Sequence, residues 1–143
     1  MIAIGSDHGG FELKEKVIRH LVERGISCKD VGCPDKTSCD YPVYAKAAAE
    51  AVASGECERG IVICTTGIGV SITANKVEGI RCALCGDVLS AKMTRLHNDS
   101  NMLAMGAGIV GDFLAMEIVD TFLDTEFSSE ERHQRRVRMI EGE

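Results

Sequence analysis

Short apolar runs that stop at or near glycine alternate along this chain with stretches whose apolar residues recur every three or four positions. Ile2-Ala3-Ile4 meets Gly5, and Ile61-Val62-Ile63-Cys64 meets Thr65-Thr66-Gly67. Cys82 to Cys85 meets Gly86, and Met102 to Met105 meets Gly106. Apolar on both faces, these four runs are predicted to be strands buried in a parallel sheet. Ile26 to Val31 carries Lys29 and Asp30 and is placed at a sheet edge. Between the runs the period becomes helical. Leu13, Val17 and Leu21, flanked by Ile18 and Val22, form one stripe that Gly25 ends. Pro42 suits the first turn of a second helix, in which Val43, Ala47 and Ala51 repeat at four. Leu89, Met93 and Leu96 mark a third helix, and Phe113 to Leu123 a fourth, more apolar one. A short helix begins near Gly69 and runs through Ser71 and Ala74, and the charged stretch from Glu130 to Ile140 is helix-compatible.

This alternation predicts an α/β fold: a single domain over residues 1–143, built as a doubly wound, Rossmann-like three-layer sandwich around a five-stranded parallel sheet. Ligands of such folds sit beyond the carboxyl ends of the strands, where the strand order reverses. The residues there are Asp7, His8, Thr66, Gly67, Asp87 and Gly106 to Gly108.

Composition narrows the function. With 143 residues, 45% apolar and 27% charged, the chain builds one ordinary core. A net charge of −6 argues against wholesale nucleic-acid binding, and the absence of Trp leaves few stacking platforms for bases. The apolar runs are too short to span a membrane, and Gly5 and Asp7 interrupt any signal-peptide stretch. Seven cysteines without an export signal are expected to be reduced thiols, mostly in the core, which places the protein in the cytoplasm.

Three motifs mislead. Gly106-Ala107-Gly108-Ile109-Val110-Gly111 matches the dinucleotide fingerprint, but no apolar run follows its helix to close a β-α-β unit. Cys82-Ala83-Leu84-Cys85 has chelate spacing, yet residues three apart in a strand face opposite sides of the sheet. Cys64 resembles a phosphatase nucleophile, but Val70 stands where that chemistry needs arginine, and the loop lacks the ending of a nucleotide P-loop.

The segment Cys64-Thr65-Thr66-Gly67-Ile68-Gly69-Val70-Ser71 survives as strand, glycine turn and helix start. Backbone N–H groups gathered at such a turn favour negative charge and with it the thiolate of Cys64, a base or nucleophile. A buried core cysteine closed by a tight turn fits the segment equally well. Gly5-Ser6-Asp7-His8-Gly9-Gly10 adds a carboxylate and an imidazole to the same crevice, although Asp7 also suits a helix cap. His97 lies near a helix end, and Arg132 and Arg136 share one helical face. Paired arginines suit phosphate, and a solvated charged helix explains them as well.

Taken together, Gly5 to Phe11, Asp40-Tyr41-Pro42, Ile63 to Ile72, Ala74-Asn75-Lys76, His97-Asn98-Asp99 and Arg132 to Arg136 resemble ribose-5-phosphate isomerase type B. That is the RpiB branch of the RpiB/LacA/LacB sugar-phosphate isomerases, and the likeness runs in register from Ile4 to Val137. The resemblance implies interconversion of D-ribose 5-phosphate and D-ribulose 5-phosphate through an enediolate, without metal or cofactor, in the pentose phosphate pathway. It makes Cys64 the proton-transfer base, with Thr66 beside it and the N–H groups from Thr65 through Gly67 and Ile68 to Gly69 as oxyanion donors. His97 would open the sugar ring with help from Asp7. His8, Arg132 and Arg136 would hold the phosphate, and Tyr41, Ser71 and Asn98 would line the substrate pocket. It also implies a homodimer or homotetramer whose active sites are shared, with the C-terminal helix at about 129–141 packed on a neighbouring subunit. Two positions depart from the pattern: Gly108 stands where many relatives have a phosphate-binding arginine, and Thr65 where many have glycine. Allose, galactose and tetrose phosphates therefore stay open as substrates, as does a non-catalytic sugar-phosphate sensor.

Overall fold

The computed structural model describes residues 1–143. Five strands alternate with helices: β1 (Ile2–Ser6), α1 (Phe11–Glu23), β2 (Cys28–Asp30), α2 (Tyr41–Ala53), β3 (Arg59–Cys64) and α3 (Ile68–Ala74). Then follow β4 (Cys82–Leu84), α4 (Val88–Asn98), β5 (Met102–Gly106), α5 (Asp112–Asp124) and α6 (Glu131–Ile140). The sheet is parallel throughout, in the order β2-β1-β3-β5-β4. Its strand order reverses between β1 and β3, so the segments after Ser6 and Cys64 flank one crevice. No helix is long and apolar enough to cross a membrane.

Alternate residues of each strand serve two cores. Ile2, Ile4, Ile61, Ile63, Leu103 and Met105 pack with Leu13, Val17 and Leu21 of α1 and Ile118, Val119 and Phe122 of α5. Ala3, Val62, Cys64, Met102 and Ala104 face the alanines of α2 and Val70 and Ala74 of α3. Small side chains on this second face let α2 approach closely; a Cβ at Gly5 would lie 2.8 Å from the Tyr44 carbonyl oxygen. Gly25 ends α1 as expected, at φ +77°, with its N–H on the Val22 carbonyl and the Ile26 N–H on Leu21.

The structure corrects the sequence reading in four places. The run from Cys82 to Cys85 is a three-residue edge strand that stops at Leu84, not a buried one. In α2 the buried residues are Ala45, Ala48, Ala49, Ala51 and Val52, while Val43 is exposed. In α4 they are Ala91, Thr94 and Arg95, and Leu89 is 67% exposed. Val22 likewise leaves the α1 stripe for the surface. An alanine-rich helix offers an apolar face at every rotation, so spacing does not choose one. In α4 hydrogen bonds outweigh hydropathy. Thr94 Oγ1 meets Ser100 Oγ at 2.6 Å, and Arg95 donates to the Ser100 carbonyl at 2.7 Å and to the Thr125 carbonyl at 3.1 Å.

Candidate active site

Cys64 ends the central strand on the α2/α3 face and is 6% exposed. The chain then turns through Thr65 and Thr66 into Gly67, whose φ of +79° leads directly into α3. That conformation points the Gly67 N–H at the Cys64 Sγ, 3.1 Å away. The Ile68 N–H is taken by Thr66 Oγ1 at 3.3 Å. Of the five amides expected as oxyanion donors, Gly67 and Ile68 are therefore occupied within the loop, and those of Thr65, Thr66 and Gly69 have no acceptor in the chain. The turn after β5 braces this loop from behind: Ala107 and Gly108 donate to the carbonyls of Cys64 and Thr65, both at 2.8 Å.

The segment after β1 forms the opposite wall. Asp7 is buried and accepts the Gly10 N–H at 3.1 Å, so it does cap the turn at His8–Gly10 while also facing the crevice. Gly9 and Gly10 permit the two loops to touch. A Cβ at Gly9 would lie 2.4 Å from Thr65 Oγ1, and one at Gly10 2.4 Å from the Ile63 carbonyl oxygen. Tyr41, in the first turn of α2, lays its ring on Gly69, where a Cβ would come within 2.5 Å. The result is an open cleft of about 430 Å³ lined by Asp7, Tyr41, Cys64, Thr65, Thr66, Ile68, Gly69 and Ile72. His8 lies to one side, its Nδ1 accepting the Cys39 N–H at 3.2 Å, in an adjoining lobe with Lys16, Lys36, Thr65 and Gly108. Ser71 is not among the residues that line the cleft.

His97, Asn98, Arg132 and Arg136 are elsewhere. Cys64 is level with Gly106 at one end of the sheet, whereas α4 descends to the other end, where β5 starts at Met102. Four residues of strand separate the two levels, about 13 Å along the sheet. There the His97 ring stacks on that of His133, with Arg132 against Glu130 at 2.9 Å and Arg136 exposed. One chain thus divides these residues into two halves, the thiol cleft at one end of the sheet and the histidine–arginine cluster at the other.

Three residues that position these halves escaped the sequence reading. Arg95 and Arg81 hold the end of α4, where Asp99 adopts φ +46°. Arg95 binds the Asp99 carboxylate at 2.9 Å, and Arg81 binds the carbonyls of Asn98 and Asp99 at 3.0 and 2.8 Å. Lys14 is 1% exposed, bonded to Asp30 at 2.8 Å and to the Cys33 carbonyl at 3.2 Å, and fixes the loop that delivers Cys39 to His8. The only trace of Lys14 in the sequence is its place inside the α1 stripe, next to Leu13.

Two of the misleading motifs resolve as packing. A Cβ at Gly106 would lie 2.6 Å from the Thr66 carbonyl, and no strand follows α5. Cys82 and Cys85 join the cores on opposite faces of the sheet.

Fold and site together define an α/β protein with a thiol and unpaired amides at the carboxyl end of its central strand. The family described as Ribose/Galactose Isomerase matches residues 2–140. Ribose-5-phosphate isomerase B of Escherichia coli is 49% identical over 139 residues, covering 97% of this chain and 93% of that protein. Among solved structures, ribose-5-phosphate isomerase B of Clostridium thermocellum superposes with a TM-score of 0.97 at 52% identity, covering 99% of this chain and 95% of the other. The Mycoplasma genitalium enzyme with bound ribulose-5-phosphate gives 0.94 at 36% identity, covering 99% and 93%. The chain belongs to the ribose/galactose isomerase family.

Proposed function

We propose that this protein interconverts D-ribose 5-phosphate and D-ribulose 5-phosphate, with Cys64 carrying the proton between C1 and C2. The observation that carries the reading is the Cys64 sulfur lining the cleft, held by the Gly67 N–H, with the Thr65, Thr66 and Gly69 amides of the same loop left without acceptors. The thiolate is the form of a cysteine able to take a carbon-bound proton. The enediolate oxygen that develops finds the N–H groups of Thr65, Thr66 and Gly69; each well-aimed donor is worth about 3–4 kcal/mol in enzymes of known mechanism. Thr66 steadies the loop through Ile68 and shares the proton transfer, and Asp7 and Tyr41 meet the sugar hydroxyls. The relatives that carry the name ribose-5-phosphate isomerase B support the substrate. With such a substrate the protein works in the cytoplasm, in the pentose phosphate pathway.

The remaining groups come from a second copy. His97, Asn98, Arg132 and Arg136 stand at the far end of their own sheet, so ring opening by His97 and phosphate binding by Arg132 and Arg136, with His8, need a neighbour's half-site. Two features support that partner. Leu84, Val88 and Leu89 expose an apolar strip beside edge strand β4, and α6 buries a single side chain against its own domain. The assembly is a homodimer or a pair of dimers.

Ranking aldose phosphates of four to six carbons by kcat/KM tests this. Ribose 5-phosphate is expected first; a galactose or allose phosphate in first place changes the substrate, and binding without turnover of any makes the protein a sensor. A monomeric mass by light scattering in an active sample would refute the shared site.

A further inference from the structure

His133 is the only side chain of α6 buried in the domain. Its ring lies flat on that of His97, with centroids 4.3 Å apart and planes 13° from parallel. The helix that carries Arg132 and Arg136 is thus seated through the same ring that covers His97. The surroundings are built to keep the pair in place. On the α4 side, Arg95 and Arg81 fasten the turn after His97, and Arg81 reaches on to Glu141 beyond α6 at 2.7 Å. The Ser128 N–H on the Leu96 carbonyl at 3.2 Å ties the approach to α6 to the same turn of α4. On the α6 side, Arg132 directs its Nε–H at His133 Nε2 from 3.4 Å, a contact that a neutral ring with its proton on Nδ1 accepts. Glu130 stands 3.8 Å from the same nitrogen. Burial, with His97 and Arg132 adding to it, holds His133 below the usual imidazole range.

The geometry points to His133 as a positioning residue for His97: its buried, stacked ring fixes the plane of the His97 imidazole and the placement of Arg132 and Arg136 around it. The inference rests on the reading that His97 opens the sugar ring.

Ring opening offers a test that separates this role from simple packing. Ribose 5-phosphate is mostly a closed furanose. Ribulose 5-phosphate has its O5 esterified and stays acyclic, so its conversion begins without ring opening, and the aldehyde it yields closes in solution. Initial rates with each substrate are measured for His133→Ala, His133→Phe and, as reference, His97→Asn, with thermal unfolding of each variant. His133→Ala is expected to lower kcat on ribose 5-phosphate by about 10–100-fold, the scale of a misplaced catalytic group, while the rate from ribulose 5-phosphate falls far less. His133→Phe keeps a flat ring in the stack and is expected to restore most of kcat. Unchanged kcat in His133→Ala overturns the proposal, as does an equal loss with both substrates that phenylalanine does not rescue. If His97→Asn itself shows no difference between the substrates, the ring-opening reading fails instead. A difference in His97→Asn that His133→Ala lacks sinks the positioning role alone.

Discussion

The Gly67 amide donates to the Cys64 sulfur at 3.1 Å, a bond that exists because residue 67 takes φ +79°. Without that turn Cys64 would be one more small side chain between the sheet and α2, where Ala48, Ala49 and Val62 are its companions. The left-handed glycine converts a packing residue into one whose sulfur has a donor on one side and an open cleft on the other.

Replacing the sulfur isolates its role. Cys64→Ala is expected to lower kcat by at least about 10²–10⁴-fold, the range for a positioned general base, while ribulose 5-phosphate still binds in calorimetry. Retention of most of the turnover would remove Cys64 as the base.

The loop tolerates no Cβ at its pivot. Gly67→Ala puts an L-residue at positive φ and a methyl 2.6 Å from Leu84 Cδ1 and 2.7 Å from the Met105 carbonyl carbon. A loss of roughly 1–3 kcal/mol is expected in denaturant unfolding, with turnover falling alongside. Gly69→Ala displaces the Tyr41 ring instead, and is expected to raise KM more than it destabilises the fold.

Half-sites at opposite ends of one sheet can be reunited by mixing. With ribose 5-phosphate as substrate, Cys64→Ala and His97→Asn are each expected to be nearly inactive alone. Refolded together in equal amounts, half of the dimers are mixed and each mixed dimer holds one intact site, which gives about a quarter of the wild-type rate. No recovery, with mixed dimers shown by mass, would mean that both residues act within one chain. Arg136→Ala is expected to raise KM for ribose 5-phosphate and leave kcat nearly intact.

Alkaline stability follows from two thiols outside the site. Burial pushes Cys82 from the ordinary 9.0 up to about 12 and Cys85 up to about 11. With folded values above the unfolded one, the stabilisation is complete below pH 9 and is lost as pH rises through 11 and 12. Each thiol is expected to remove about 1.4 kcal/mol per pH unit within its window. Urea unfolding between pH 8 and 11 checks this: Cys85→Ala should flatten the slope by one thiol's share, and an unchanged slope would show that Cys85 ionises as freely folded as unfolded.

The sequence by itself determined the order of strands and helices, the crevice at the ends of β1 and β3, and the Cys64 loop. These depend on local causes: apolar runs that can only be buried, and glycines such as Gly25 and Gly67 that a turn requires. Tertiary structure decided what hydropathy leaves degenerate. It set which face of alanine-rich α2 turns inward, sent Leu89 outward while Arg95 went in, and put β4 at an edge. It also separated His97 and the arginines from the thiol, because a parallel sheet with helical returns sends the start and end of each helix to opposite ends of the fold. Residues adjacent in a motif list need not be adjacent in one chain, and only the direction of α4 along the sheet revealed it.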